Sequence, residues 1–267
     1  MPAPEEAGTN ALASLLALGG SAVGSWCTTP ATLTAEVLTS DAVDFVCFDC
    51  QHGVVDGSSL AALLAAVRGG VTPLVRVPSN DGATIGRALD LGAGGVIVPM
   101  VGTADEARRA VAACRYPPDG TRSYGPSRAG LFLGTEPATI QAHALCFVMI
   151  ETPAAVDRAD EICGVPGVSG VYVGPADLAV SLGIRPSEMD ASSVHAAAVD
   201  AVREACERAG VVAAIHTSGG ADAHRRLAQG FRVVSLPTDA VLLRAALQRE
   251  LAAARGGAAS AELRPYG

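Results

Sequence analysis

The pattern that most restricts what this chain can fold into is a regular alternation. Eight short apolar runs, near residues 21–26, 45–50, 72–77, 94–98, 146–151, 170–174, 211–215 and 231–236, are separated by segments with helical spacing. Runs rich in Val, Ile and Leu, without polar alternation, are what strands buried on both faces look like. The segments between them predict helices over 30–38, 58–68, 80–91, 104–114, 137–143, 157–163, 193–209, 221–229 and 239–254, with Thr29 and Thr103 as the N-caps of two of them. A further helix, 11–18, precedes the first strand. Eight βα units with no linker predict an α/β fold, a single (β/α)8 TIM barrel with an additional N-terminal helix. The barrel would occupy residues 11–257, with 1–10 a flexible N-terminus and 258–267 a C-terminal tail. The competing architecture is a doubly wound open sheet. No G-x-G-x-x-G opens the first βα unit, and Gly92-Ala-Gly-Gly95 precedes a strand instead of following one.

Composition removes several function classes. A net charge of -8 argues against nucleic acid or an anionic membrane as partner. No apolar run reaches spanning length, and the opening Met-Pro-Ala-Pro-Glu-Glu is unlike a secretory leader, so a cytoplasmic location is expected. The seven cysteines are odd in number and lie mostly in apolar segments, which suits reduced core thiols. Cys47 and Cys50 form a C-x-x-C, but on a strand residues three apart face opposite sides, so no redox pair is expected. All 19 basic residues are arginine. The absence of lysine excludes a Schiff-base lysine, pyridoxal phosphate anchoring and a phosphate-loop lysine. Carbonyl chemistry here would need another electrophile, most simply a metal ion.

Barrel enzymes carry their chemistry at the carboxyl ends of the strands, so each end is a test. Residues 44–53 read Asp-Phe-Val-Cys-Phe-Asp-Cys-Gln-His-Gly, an apolar run that turns polar at Asp49, Gln51 and His52. The third strand holds Arg76 within Leu-Val-Arg-Val; the fifth ends in Glu151, the sixth leads to Asp177 and the seventh ends near His216. Buried charge is costly unless paired or metal-bound, which makes five such ends a poor accident. Glu151 and Asp177, on adjacent strand ends, suit a hard cation such as Mg²⁺ or Mn²⁺, with a chelating 2-oxo acid supplying further oxygens. The other carboxylate-pair chemistry, glycoside hydrolysis, fits less well with a single Trp in the chain.

Longer stretches add a family resemblance. Residues 44–53, Leu74-Val-Arg-Val77, Leu89-Asp-Leu-Gly92, Arg115-Tyr-Pro-Pro-Asp-Gly-Thr-Arg122, Ile150-Glu-Thr-Pro-Ala-Ala-Val156, Val173-Gly-Pro-Ala-Asp-Leu178 and the segment 230–239 occur in this order. Together they resemble the HpcH/HpaI family of class II, metal-dependent pyruvate aldolases, whose type activity is 4-hydroxy-2-oxoheptanedioate aldolase. The resemblance implies cleavage of a 4-hydroxy-2-oxo acid to pyruvate and an aldehyde through a metal-stabilised enolate, as in the catabolism of aromatic compounds. It implies His52 as general base acting through water and Asp49 as the group that orients it. Arg76 would hold the 2-oxo oxygen, and Glu151 and Asp177 would bind Mg²⁺, Mn²⁺ or Co²⁺. The backbone of Gly174, Pro175 and Ala176 would receive the pyruvate carboxylate. Asp90 would approach the His–Asp pair of a neighbouring subunit in a homo-oligomer, a hexamer built as a trimer of dimers, with the last helix packed on a neighbour.

Two positions depart from the family pattern: Gln51 stands where a glutamate is usual, and Met149 where a glutamine is often found. Both lie beside the implied site and leave the aldehyde open. A same-fold decarboxylase or citrate-type synthase acting on oxaloacetate, or a non-catalytic barrel that binds a small acid, are the competing functions. Of the other histidines, His195 and His224 are expected to be solvated on helices and His143 to end a helix, while His216, at a strand end, is a candidate supporting residue that could touch substrate. The irregular, proline-rich segment 115–128, with Arg115, Arg122 and Arg128, is expected to be a functional loop.

Overall fold

The structure, a computed structural model, describes residues 10–40 and 42–256. The expected flexible N-terminus, apart from Asn10, and the C-terminal tail lie outside the described residues. Eight parallel strands close into a barrel in sequence order: β1 (Ala22–Cys27), β2 (Phe45–Asp49), β3 (Thr72–Arg76), β4 (Gly95–Val98), β5 (Leu145–Ile150), β6 (Gly170–Val173), β7 (Val212–His216) and β8 (Val233–Thr238). The last strand pairs with the first, Ala22 opposite Val233, with a register shift between Gly24 and Trp26. Helices lie outside the strands, and none among the described residues is long and apolar enough to cross a membrane.

The two sides of the strands bury different cores. Phe45, Cys47, Leu74, Ile97, Phe147 and Tyr172 fill the barrel, while Val46, Phe48, Val75, Val96, Val148 and Val171 pack outward beneath the helices. Few large rings can share the interior, so glycines face them. A Cβ on Gly24 would come within 2.4 Å of the Phe45 ring. The alternation also separates Cys47, inside, from Cys50, which packs on the outer layer.

The amino end of the barrel is sealed by the helix Ala11–Ala17, whose Leu12 and Leu16 join the interior core. Asn10, expected to be loose, is buried; its Oδ1 accepts from Ala13 N–H and its amide donates to the carbonyls of Gly94 and His143. The Thr72 hydroxyl accepts from Leu12 N–H, tying the plug to β3.

Several element boundaries differ from expectation. Thr29 caps no helix: its neighbour helix is Thr32–Leu38 with Ala31 at the N-cap, and the Thr29 hydroxyl donates to Asp239 instead. The helix expected over 157–163 is Ala159–Cys163, and a separate short helix, Pro153–Val156, precedes it. The helix Pro175–Ser181 and the 3-10 turn Pro186–Ala191 have no sequence expectation at all.

Candidate active site

Extending each inward-facing row by one position brings the functional side chains together. Inside β2 the order is Phe45, Cys47, Asp49; in β3 it is Leu74, Arg76; in β5 it is Phe147, Met149 and then Glu151. The period of two therefore carries charge onto the same inner surface that holds the core below, at the carboxyl end of the barrel. A cleft of about 410 Å³ opens there, with Trp26, His52, Arg76, Met149, Asp177 and His216 on its wall.

Asp49 and Arg76 are directly paired across β2 and β3. Arg76 Nε donates to Asp49 Oδ1 at 2.9 Å and Nη2 to Oδ2 at 2.5 Å, a two-pronged contact between buried side chains. Burial alone would raise the Asp49 carboxyl. The guanidinium, the indole of Trp26 (Nε1 to Oδ2, 3.2 Å) and the backbone of His52 outweigh it, holding Asp49 below the usual carboxylate range. Arg76 is shifted up, so the two partners agree on an ion pair. Asp49 also accepts from the N–H groups of Gln51 and His52, fixing the turn that follows β2. It orients His52 through the backbone, and among the described residues no hydrogen bond reaches the imidazole, which is exposed. The Asp49 carboxylate thus spends its side-chain contacts on Arg76 and Trp26 and meets His52 at the backbone N–H.

Glu151 is 1% exposed and its Oε1 accepts from the N–H of Met100 at 2.8 Å. Met100 is the one non-glycine with positive φ (56°) among the described residues, a conformation that aims this N–H at the carboxylate. Burial pushes the Glu151 carboxyl up to about 7; the Met100 N–H opposes this and the neighbouring Asp177 charge adds to it. The Asp177 side chain is thus near enough to bond the protonated Glu151 carboxyl. Gly174 leaves the space they need, since a Cβ there would meet Glu151 Oε2 at 2.5 Å. No cluster of three or more His, Cys, Asp or Glu side chains suited to a metal occurs among the described residues. An ion on this pair would therefore take its other oxygens from water and substrate, which fits Mg²⁺ or Mn²⁺ better than zinc.

Trp26, unremarked in the sequence, lies at the centre. The Arg76 guanidinium sits 5.1 Å from its ring, His216 meets it edge-on at 5.1 Å, and Tyr172 packs at 5.7 Å. Its position was accessible in principle, because it follows Ala22 and Gly24 on the inward row of β1. Met149 is buried and lines the cleft, whereas the side-chain oxygen of Gln51 is buried with no hydrogen-bond partner. His195 is not solvated: it is 2% exposed, and its Nε2–H donates to the Pro175 carbonyl at 2.9 Å, bracing the segment 174–177. His224 is exposed as expected.

Asp90 ends the helix Gly82–Asp90, towards the amino end of the barrel and away from this chain's cleft; Arg122 holds it at 2.7 Å. Arg128 donates to the Leu91 carbonyl. Arg122 and Arg128 thus anchor that loop, and no arginine of 115–128 lines the cleft.

Fold and site define an enzyme of the parallel β/α barrel class, with buried ionic groups converging at the strands' carboxyl ends. The HpcH/HpaI aldolase/citrate lyase family pattern matches residues 23–246. A hydroxypyruvate/pyruvate aldolase of Rhizorhabdus wittichii is 38% identical over 239 residues, 89% of this chain and 95% of that protein. A 5-keto-4-deoxy-D-glucarate aldolase of Salmonella paratyphi A is 34% identical, covering 85% and 90%. The crystal structure of an HpcH/HpaI aldolase/citrate lyase family protein from Burkholderia cenocepacia superposes with TM-score 0.86 at 31% identity, covering 92% of this chain and all of that one. The chain belongs to the HpcH/HpaI aldolase/citrate lyase family and is a carbon–carbon lyase.

Proposed function

We propose that this enzyme cleaves 4-hydroxy-2-oxo acids to pyruvate and an aldehyde, and runs the aldol addition in reverse, with a divalent cation (Mg²⁺, Mn²⁺ or Co²⁺) at Glu151 and Asp177. The observation that carries this reading is the pairing of buried Glu151 with half-buried Asp177 on the cleft wall, near the Arg76–Asp49 ion pair. When bound, the cation would supply a Lewis acid to the 2-oxo group.

The chain's own groups account for the rest. Arg76 spends Nε and Nη2 on Asp49, and no described protein group bonds Nη1, which is left for the 2-oxo oxygen as negative charge develops there. Asp49 keeps that fork from swinging. The backbone of Gly174, Pro175 and Ala176 lines the cleft at a helix start, where free first-turn N–H groups suit the pyruvate carboxylate. His52, at the rim, would move the proton between the C4 hydroxyl, water and C3. Both named aldolase relatives act on small oxo acids by their names, which favours pyruvate as the common product.

A homo-oligomer is part of the proposal. The helix Asp239–Ala254 leaves Leu242, Leu243, Leu247 and Leu251 exposed, an apolar face that a second copy would cover. A hexamer built as a trimer of dimers would also let Asp90 serve a neighbour's His52.

The test is pyruvate release from a panel of 4-hydroxy-2-oxo acids and from oxaloacetate, with each metal and with EDTA. Metal-dependent release from the hydroxy acids is expected. Undiminished release in EDTA, or release from oxaloacetate alone, contradicts the reading.

A further inference from the structure

His216, the last residue of β7, stands on the cleft wall with a hydrogen-bond network behind it. Its Nδ1 lies 2.7 Å from Ser235 Oγ, and Ser235 Oγ accepts from the Tyr172 hydroxyl at 2.6 Å. Tyr172 is fully buried, which drives its pKa far up and keeps it a donor. Ser235 is itself buried, with no other side-chain acceptor for its proton among the described residues. That proton therefore points at Nδ1, which must accept, and the imidazole hydrogen resides on Nε2. Burial and the nearby Arg76 charge push the His216 pKa down to about 4, against the weaker pull of Asp49 and Asp222, so the ring is neutral. No described protein group bonds Nε2. The chain has thus fixed one tautomer of a neutral imidazole at the edge of a cleft and left its N–H unpartnered.

We propose that His216 Nε2–H receives the carbonyl oxygen of the acceptor aldehyde, making His216 a specificity-determining residue for uncharged aldehydes. The inference rests on the aldol reading above. Arg76 is the one guanidinium lining the cleft among the described residues, and it already faces Asp49; with no lysine in the chain, a second carboxylate on the acceptor has no cation to meet. A neutral donor matches a short uncharged aldehyde instead; the nearby Thr217 and Ser218 hydroxyls already donate to the Ser235 carbonyl and to Asp222, and keep only acceptor capacity. In the step itself a base removes a methyl proton from pyruvate and C3 attacks the aldehyde carbon. The new C3–C4 bond forms as the C=O π pair moves onto the aldehyde oxygen. That oxygen then takes back a proton through the base or water and becomes the C4 hydroxyl. His216 keeps its own proton and only orients and polarises the carbonyl.

The test uses the full chain with Mg²⁺ and two rates: exchange of pyruvate methyl protons in D₂O without aldehyde, and addition of pyruvate to glycolaldehyde. In His216→Leu, kcat/KM for glycolaldehyde is expected to fall about 10-fold or more beyond any fall in exchange, the cost of one lost hydrogen bond to a reacting oxygen. His216→Gln, which retains an N–H donor, should recover at least part of that loss. Ser235→Ala, which releases the tautomer from behind the cleft, should lower acceptor kcat/KM by roughly 3-fold or more. Equal falls in both rates, or glycolaldehyde kinetics unaltered in a folded His216→Leu while exchange persists, overturn the role of His216 alone. A wild-type enzyme that exchanges no pyruvate protons overturns the aldol reading and this inference with it.

Discussion

At the amino ends of the strands the barrel is closed by Leu12 and Leu16, with Asn10 and Thr72 satisfying the polar groups around them. At the carboxyl ends the same inward rows finish in Asp49, Arg76, Glu151 and His216, with Arg76 and His216 on the wall of an open cleft. One end buries apolar surface and stabilises the fold; the other holds charge away from water, where it stabilises nothing unless each group keeps its partner. The comparison teaches that the two jobs are separated along the strand axis by only a few residues, so the same strand carries both.

The comparison can be broken first at Arg76. Arg76→Met would leave Asp49 buried and unpaired, an expected loss of about 3–5 kcal/mol in urea unfolding. Adding Asp49→Asn should restore much of the stability and none of the activity. If the single variant were as stable as wild type, the ion pair would not be the organising contact of this end. At the opposite end, Leu12→Ala should cost about 2–5 kcal/mol by removing core contacts, with kcat within twofold of wild type below the unfolding transition. A large fall in kcat from that change would show that the two ends are not separable.

A smaller effect sharpens the boundary between them. Asp239 accepts from the N–H and hydroxyl groups of both Thr28 and Thr29, joining the last helix to the end of β1. Burial alone would raise its pKa, but these bonds hold it below the usual carboxylate range. A depressed carboxylate stabilises the fold above its unfolded pKa, and that contribution fades as pH falls through the folded one. Asp239→Asn should therefore cost about 1–2 kcal/mol at pH 7 and progressively less on acidification below about pH 4. A deficit that stays constant down to the acid transition would contradict the assignment.

The architecture was legible because it rests on local periodicity. Apolar runs and helical spacing are properties of neighbours in sequence, and Thr103 and the helix Asp239–Ala254 fell where the pattern put them. Asp49, His52, Arg76, Glu151 and Asp177 were visible as charges at strand ends. Their pairing was not. Whether Asp49 meets an imidazole or a guanidinium depends on the β2–β3 register, and the pair chosen was Asp49 opposite Arg76. Trp26, Tyr172 and Ser235 meet only because the barrel closes β8 onto β1, a contact between distant residues with no local signal. His195 illustrates the opposite failure: a polar residue near a helix start reads as solvated until the segment it supports, 174–177, folds over it.

Exchange of the methyl protons of pyruvate for deuterium, followed by NMR in D₂O with Mg²⁺, reads the central claim most directly, because it needs no aldehyde. The account predicts measurable exchange by the wild type and by Leu12→Ala, and a loss of roughly 1,000-fold in Arg76→Met, the scale of removing a principal donor to developing oxyanion charge. Exchange by Arg76→Met at the wild-type rate would contradict it.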